Sequence, residues 1–342
     1  MSPGLDYVVI RSHAMMAELL SPEQIRDLAE RDSLASFVEQ LAETSYGEIS
    51  IAAEGDTSIA LESIFYQKFI ERMMGVVDLA PTNIGDFLQS YYYLRFEVIN
   101  LKRIIRGMYS GLSTSKIMES LIPITPYKVE SYEALVEAGS LHDAIMRLED
   151  TPYEPLISSL ELTEKYDALW PVEIALNYLS AMVVFRSLER LPQNDRGLVR
   201  RIVQAEADVE NFLVAAKQRS AREEARSPEE MFPTTYDISY DMLREAIMAD
   251  DLTAVINSLS PPYNEILSPL YEGDVALIRS RLRQYIFDIA AGGREVNDFG
   301  FNVVMAYLIF SEIEKDNLVG IAWGKTQGIQ SEDILKYLAI PQ

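Results

Sequence analysis

Apolar positions along the chain fall at helical spacing almost throughout. Tyr93, Phe96, Asn100 and Ile104 stand at i, i+3, i+7 and i+11, one face of a helix. Phe310, Ile313, Asn317 and Ile321 repeat that register, and Gln204, Ala207, Asn211 and Ala215 form a smaller, weaker version. Leu34, Val38 and Leu41 fit a short amphipathic helix. Hairpin turn pairs such as Asn-Gly or Asp-Gly are absent, and the segments between glycines and prolines are long. The pattern predicts an all-α protein.

The pattern also recurs. An apolar–apolar–proline stop occurs as Leu121-Ile122-Pro123, Met231-Phe232-Pro233 and Ala339-Ile340-Pro341. Upstream of each stands an acidic residue with Asn three positions later: Glu97 and Asn100, Asp208 and Asn211, Glu314 and Asn317. Around the outer two copies the match runs without a gap, Ile104, Gly107, Gly111, Ile117 and Leu121 aligning with Ile321, Gly324, Gly328, Ile334 and Leu338. Each copy opens alike: Ser33-Leu34 to Leu41 and Tyr46, Ser140-Leu141 to Leu148 and Tyr153, Asp251-Leu252 to Leu259 and Tyr263. The predicted units are 1–123, 124–233 and 234–342, three similar helical domains. Solenoid repeats have periods of about 20–50 residues, and this period is longer.

An Asn inside an apolar stripe needs partners, because burying an unpaired amide costs roughly 1–3 kcal/mol. Asn100, Asn211 and Asn317 are therefore expected to bond a loop carbonyl or amide, with Glu97, Asp208 and Glu314 sharing the network. Gly111 and Gly328 follow helical runs and suit a left-handed C-cap. The middle copy has Gln218 and Arg222 there, so its helix should run further, before Ser227-Pro228 starts a new one.

Charge and composition narrow the function classes. The 342 residues carry 30 Lys+Arg and 53 Asp+Glu, a net −23 that argues against nucleic-acid binding. With no cysteine, thiol catalysis, disulfides and Cys-type metal sites are excluded. His13 and His142 read as ordinary polar residues in different units. Gly324-Lys325-Thr326 imitates a phosphate loop, but Gly320 is one residue too close. Gly292-Gly293 reads as a turn. Asp250-Asp251 opens a metal-binding pattern that Ala254 breaks, leaving an acidic helix start. Lys102, Arg103 and Arg106 read as a solvated helix end, and Tyr91-Tyr92-Tyr93 as helix packing. No cofactor or metal is expected. The start, Met1-Ser2-Pro3-Gly4-Leu5-Asp6, lacks a basic region followed by an apolar run. The uncharged stretches Phe299–Ser311 and Ile174–Phe185 fall short of the ~20 residues of a membrane span. The expectation is a cytosolic chain that meets a membrane only through a protein partner.

The chain resembles the C-type stalk component of A/V-type ATP synthases, the counterpart of the d-type component in vacuolar ATPases. Arg11-Ser12-His13-Ala14-Met15 followed by Leu19-Leu20 is similar to that family's opening, with His13 in place of a second Arg. Glu314, Asn317-Leu318, Gly324-Lys325, Gly328-Ile329, Ile334 and Leu338 are similar to its ending. Glu97, Asn100-Leu101, Gly107 and Gly111-Leu112 match its first-domain version, and the middle copy departs most. The resemblance implies three similar domains around a pseudo-threefold axis, funnel-like. It implies a non-catalytic central-stalk adaptor on the cytoplasmic face, between the membrane proteolipid ring and stalk subunits D and F, serving ATP-linked proton or sodium transport. From the residues alone, a free-standing helical protein-binding scaffold stays open, and after it an enzyme using carboxylates and a divalent metal.

Overall fold

The computed structural model describes residues 4–47, 57–219, 227–232 and 234–340. Helices and turns account for all regular structure among them, with no strand, so the fold is all-α. In chain order the first six helices are α1 (Leu5–Met16), α2 (Pro22–Glu30), α3 (Leu34–Leu41), α4 (Thr57–Val77), α5 (Thr82–Tyr109) and α6 (Thr114–Glu119). Next come α7 (Tyr132–Val136), α8 (Leu141–Met146), α9 (Leu160–Tyr166), α10 (Trp170–Leu188), α11 (Arg196–Gln218) and α12 (Pro228–Met231). The last six are α13 (Tyr240–Met248), α14 (Leu252–Ser258), α15 (Tyr263–Leu267), α16 (Val275–Val296), α17 (Phe301–Thr326) and α18 (Ser331–Lys336). Short helices, then two long ones, then one short one: that order occurs three times.

The short helices begin where a side chain can take an otherwise orphaned N–H. Ser33, Ser140 and Asp251 cap α3, α8 and α14, accepting from the backbone of Ser36, Asp143 and Thr253 at 3.2, 3.1 and 2.9 Å. Ser21 and Gln24 form a reciprocal capping box on α2, with Pro22 at its first position. Each such cap contributes ~1 kcal/mol. Ser227 precedes Pro228 of α12 but makes no side-chain cap bond.

The chain divides into two compact units. One comprises Met1–Gly85, Pro192–Ala225 and Thr235–Gln342; the other comprises Asp86–Leu191 and Arg226–Thr234. In the first, α17 is buried on nearly every face, from Phe301 through Ile309 and on to Leu318, Ile321 and Ala322. This explains the uncharged run from Phe301 to Ser311, a stretch of helix surrounded by others, while Phe299 before it is exposed. Its neighbours are α1, α4 and α16. Leu28, Phe37, Leu41 and Phe65 of α2–α4 share one core with Leu318, Ile321 and Ala322 of α17 and Ile334 of α18. Residues from opposite ends of the sequence thus bury one another, each large side chain contributing about 1.5–3 kcal/mol.

Gly292-Gly293 does not form the turn expected of it. Both residues lie inside α16, which continues to Val296. A Cβ on Gly293 would stand 2.6 Å from Leu198 Cδ1, so the glycine is there to admit Leu198 of α11. In the second unit, Tyr91, Tyr92 and Phe96 of α5 are fully buried, α7 packs against α6 and α8, and α10 against α9 and α12. Tyr91 and Tyr92 meet edge to face at 4.8 Å, and Phe87 stacks on Tyr91 at 5.8 Å.

Candidate functional site: the repeated acid–asparagine signature

The long helices α5 and α17 present the same polar pair into a buried setting. Asn100 donates to the Ile122 carbonyl at 3.0 Å and accepts the Ile122 N–H at 2.8 Å. Asn317 donates to Ala339 at 2.9 Å and accepts from it at 3.0 Å. Partner and asparagine are 22 residues apart in both cases. A side-chain amide carries an acceptor oxygen and a donor nitrogen side by side, so it satisfies the N–H and C=O of one backbone residue together, which fits a buried segment leaving its helix. Asn211 holds the corresponding place on α11. Pro233 and Pro341, the stops of the second and third copies, lie outside the described residues.

Gly111 and Gly328 end α5 and α17 in one geometry. Their φ values are +69° and +70°. Leu112 N–H reaches Gly107 O, and Gly111 N–H reaches Met108 O. At the other end Ile329 reaches Gly324 and Gly328 reaches Lys325. Both are complete Schellman closures. Gly107 and Gly324 then let the following short helix close in, since a Cβ there would stand 2.6 Å from Ile117 and 2.7 Å from Ile334. Gln218, at the place of Gly107 and Gly324, is the last residue of α11, and Arg219 after it is right-handed. Among the described residues α11 therefore does not outrun α5 and α17 past its asparagine, contrary to expectation; Arg222 lies outside the described residues.

The acidic residues do not join the asparagine network; they reach the start of a different repeat. Glu97 of α5 accepts the N–H of Tyr127 at 2.5 Å and of Lys128 at 2.9 Å, and the hydroxyl of Tyr153 at 2.8 Å. Asp208 of α11 accepts the N–H groups of Tyr236, Asp237 and Ile238 at 3.0, 2.8 and 3.2 Å. Glu314 of α17 accepts the N–H of Leu20 at 2.5 Å and the hydroxyl of Tyr46 at 2.7 Å. First repeat holds second, second holds third, and third holds first. Glu97 and Asp208 are wholly buried and Glu314 nearly so.

The three joints differ in how charge is met. Arg72 of α4 donates to Glu314 at 2.7 Å and to Ser311 at 3.2 Å, and is itself buried. Burial, followed by the Glu314 charge, lifts the Tyr46 hydroxyl well above the ordinary phenol range, so it stays a donor. Tyr153 is raised likewise, by burial and then by Glu97. Among the described residues Asp208 meets neither cation nor tyrosine hydroxyl. Its side chain is one methylene shorter, and Tyr263 instead donates to Asp237 at 3.1 Å. Burial raises the Asp208 pKa to about 6, against the pull of its three N–H donors.

The remaining candidates are accounted for by local bonding. Lys325 donates to the Ala29 carbonyl at 2.6 Å and to Ser331 at 3.0 Å, at the end of α17. His13 meets Asp298, and His142 meets Glu164 at 3.3 Å. The expected solvated end of α5 is instead engaged: Lys102 bonds Asn177 at 2.5 Å, Arg106 bonds Glu173 at 2.6 Å and Arg103 bonds the Ser120 carbonyl. Among the described residues no group of three His, Cys, Asp or Glu is placed to hold a metal. No helix there is long and apolar enough to cross a membrane. Sequence reasoning missed Arg72. Its signal was a lone cation in the apolar stripe Phe65, Phe69, Arg72 and Val76 of α4. The Leu20 N–H, a backbone group, left no signal at all.

Buried carboxylates and asparagines that fasten long helices to segments elsewhere in the chain, with two of those helices closed by glycine, define an all-α protein whose marked residues are engaged within the fold. Comparison with known proteins says which. Residues 8–337 match the ATP synthase (C/AC39) subunit family, and the chain belongs to it. The A-type ATP synthase C subunit of Methanocaldococcus jannaschii is 23% identical over 97% of this chain and 85% of its own. The C subunits of Archaeoglobus fulgidus and Haloferax volcanii are each 24% identical over 98% of this chain, covering 96% and 97% of theirs.

Proposed function

We propose that the protein is the central-stalk adaptor of a rotary A/V-type ATPase or ATP synthase, joining stalk subunits D and F to the membrane proteolipid ring. It carries rotation linked to proton or sodium transport and performs no chemistry itself. The family match over residues 8–337 carries this reading. On this proposal the units 1–123, 124–233 and 234–342 are three similar domains about a pseudo-threefold axis, forming a funnel on the cytoplasmic face. Glu97, Asn100, Gly111, Asp208, Asn211, Glu314, Asn317 and Gly328 are then its structural signature. The bonding order of the carboxylates supports it: a part that transmits torque needs its repeats fastened to one another, and buried charge-assisted hydrogen bonds do that.

The segments Ser113–Ile122, Ser227–Phe232 and Ser331–Leu338 follow the long helices and are assigned to the ring-facing end. Tagged protein purified from its native membranes should bring the proteolipid and subunits D and F, identified by mass spectrometry. Recovery with no ATPase component overturns the adaptor. Site-specific crosslinkers in the three segments should capture the proteolipid; capture of stalk subunits alone reverses the orientation.

A further inference from the structure

A cleft of about 400 Å³ opens beside the Glu314 joint. Its wall includes Met16, Leu19, Phe287, Phe310, Ile313 and Ile340. Phe287 and Phe310 stack at 4.4 Å along it. The Glu97 joint is built differently at this point. At Glu97 one of the two N–H donors is Tyr127, whose ring lies 5.9 Å from that of Tyr93. Tyr93 and Phe310 occupy the same register position before their asparagines. At Glu314 the N–H donor is Leu20, which brings no ring, and the aromatic pair faces open space.

The polar groups on this wall are spoken for, with one exception. Glu314 is met by Leu20, Tyr46 and Arg72, so its charge is balanced. Asn317 is paired with Ala339, and Ser21 with Gln24. Arg294 is the exception. Its hydrogen-bond contact among the described residues is Met16 Sδ at 3.5 Å, a weak acceptor. The cleft therefore carries one net positive charge in a chain of net −23.

We propose that this cleft binds a medium-chain fatty carboxylate, its head on Arg294 and its hydrocarbon chain against Phe287, Phe310 and Ile313. The volume lies in the range of small-ligand sites, and the lining has their composition: apolar walls with a single orienting polar group. A guanidinium favours a carboxylate through charge-assisted, two-point bonding. A peptide occupant fits poorly, because its backbone N–H and C=O groups would be buried where no partner remains. A cationic or neutral chain of equal length gains the apolar contact and forgoes the ion pair.

Calorimetric titration of the full chain with decanoate, decanol and decylamine, below their aggregation limits, tests this. Decanoate should bind saturably at one site, at least tenfold more tightly than decanol, with decylamine weakest. Arg294→Gln should abolish the preference for decanoate over decanol. Leu19→Trp, at a partly exposed position on the wall, should weaken both, and circular dichroism checks that each variant is folded. Absence of saturable decanoate binding overturns the proposal. So does a decanoate preference that persists in Arg294→Gln.

Discussion

The Glu314 and Asp208 joints do the same work with opposite electrostatics. Each fastens a long helix to the opening of another repeat, and each carboxylate is buried. At Glu314 a guanidinium, a phenol hydroxyl and a backbone N–H converge on the carboxylate. Among the described residues Asp208 meets only backbone N–H groups, and the nearby Asp237 adds a like charge. Once a carboxylate is out of water, a cation beside it offsets part of the cost of its charge. The repeat keeps the geometry of attachment while its energetics vary from joint to joint.

The largest test removes the cation. Arg72→Met should leave Glu314 buried without its counter-charge and cost about 3–5 kcal/mol in urea unfolding. Adding Glu314→Gln to that variant should recover part of the loss. Tyr153→Phe at the Glu97 joint removes one neutral donor and should cost about 1–3 kcal/mol. Equal losses at the two joints would mean that the ion pair is not what sets Glu314 apart.

The second test turns on pH. Asp208 titrates at about 6 in the fold and near 3.8 as a free side chain. Between those values the unfolded chain gives up this proton while the folded chain keeps it. Its contribution to stability is therefore full below pH 4, falls as pH rises toward 6, and is level above. At about 1.4 kcal/mol per unit the fall is roughly 3 kcal/mol. Asp208→Asn should flatten the stability difference between pH 4 and 6 relative to the parent. An unchanged slope would show that burial does not hold the proton on Asp208, and the contrast between the joints would fail.

The fold was more legible in the sequence than the joints were. Periodicity exposed the face of α5 that carries Tyr93, Phe96 and Asn100, and an asparagine within it announced a buried bond because an unpaired amide costs too much there. Gly111 and Gly328 declared their caps, since glycine tolerates positive φ. What Glu97, Asp208 and Glu314 bond was not legible. Their partners include backbone N–H groups, identical in every residue, and Leu20 lies 294 positions from Glu314. Gly292-Gly293 misled for a related reason: a glycine marks either a turn or a close approach, and only the position of Leu198 distinguishes them.

The asparagines allow a like-for-like comparison between repeats. Asn100→Leu and Asn317→Leu each strand one backbone N–H and one C=O, at Ile122 and Ala339. Each should cost about 2 kcal/mol, and the two should agree within about 0.5 kcal/mol, because bond lengths and burial are nearly the same. Hydrogen exchange should quicken at the Ile122 and Ala339 amides. Faster exchange at only one of them would mean that the matching geometry hides unequal support.

The smallest effect is expected at the helix ends. Gly111 and Gly328 sit at φ +69° and +70° with no atom within 4 Å of where a Cβ would be. Alanine there meets strain but no clash, so Gly111→Ala and Gly328→Ala should each cost about 1 kcal/mol by thermal or urea unfolding. Gly107→Ala and Gly324→Ala differ in kind, because their Cβ atoms would press on Ile117 and Ile334. Pairing either with Ile→Val at the contacting position should relieve part of its cost, whereas the same change should not relieve Gly111→Ala or Gly328→Ala. Relief at Gly111 would mean that the cap resists alanine through packing, and the separation between backbone strain and close approach at these ends would collapse.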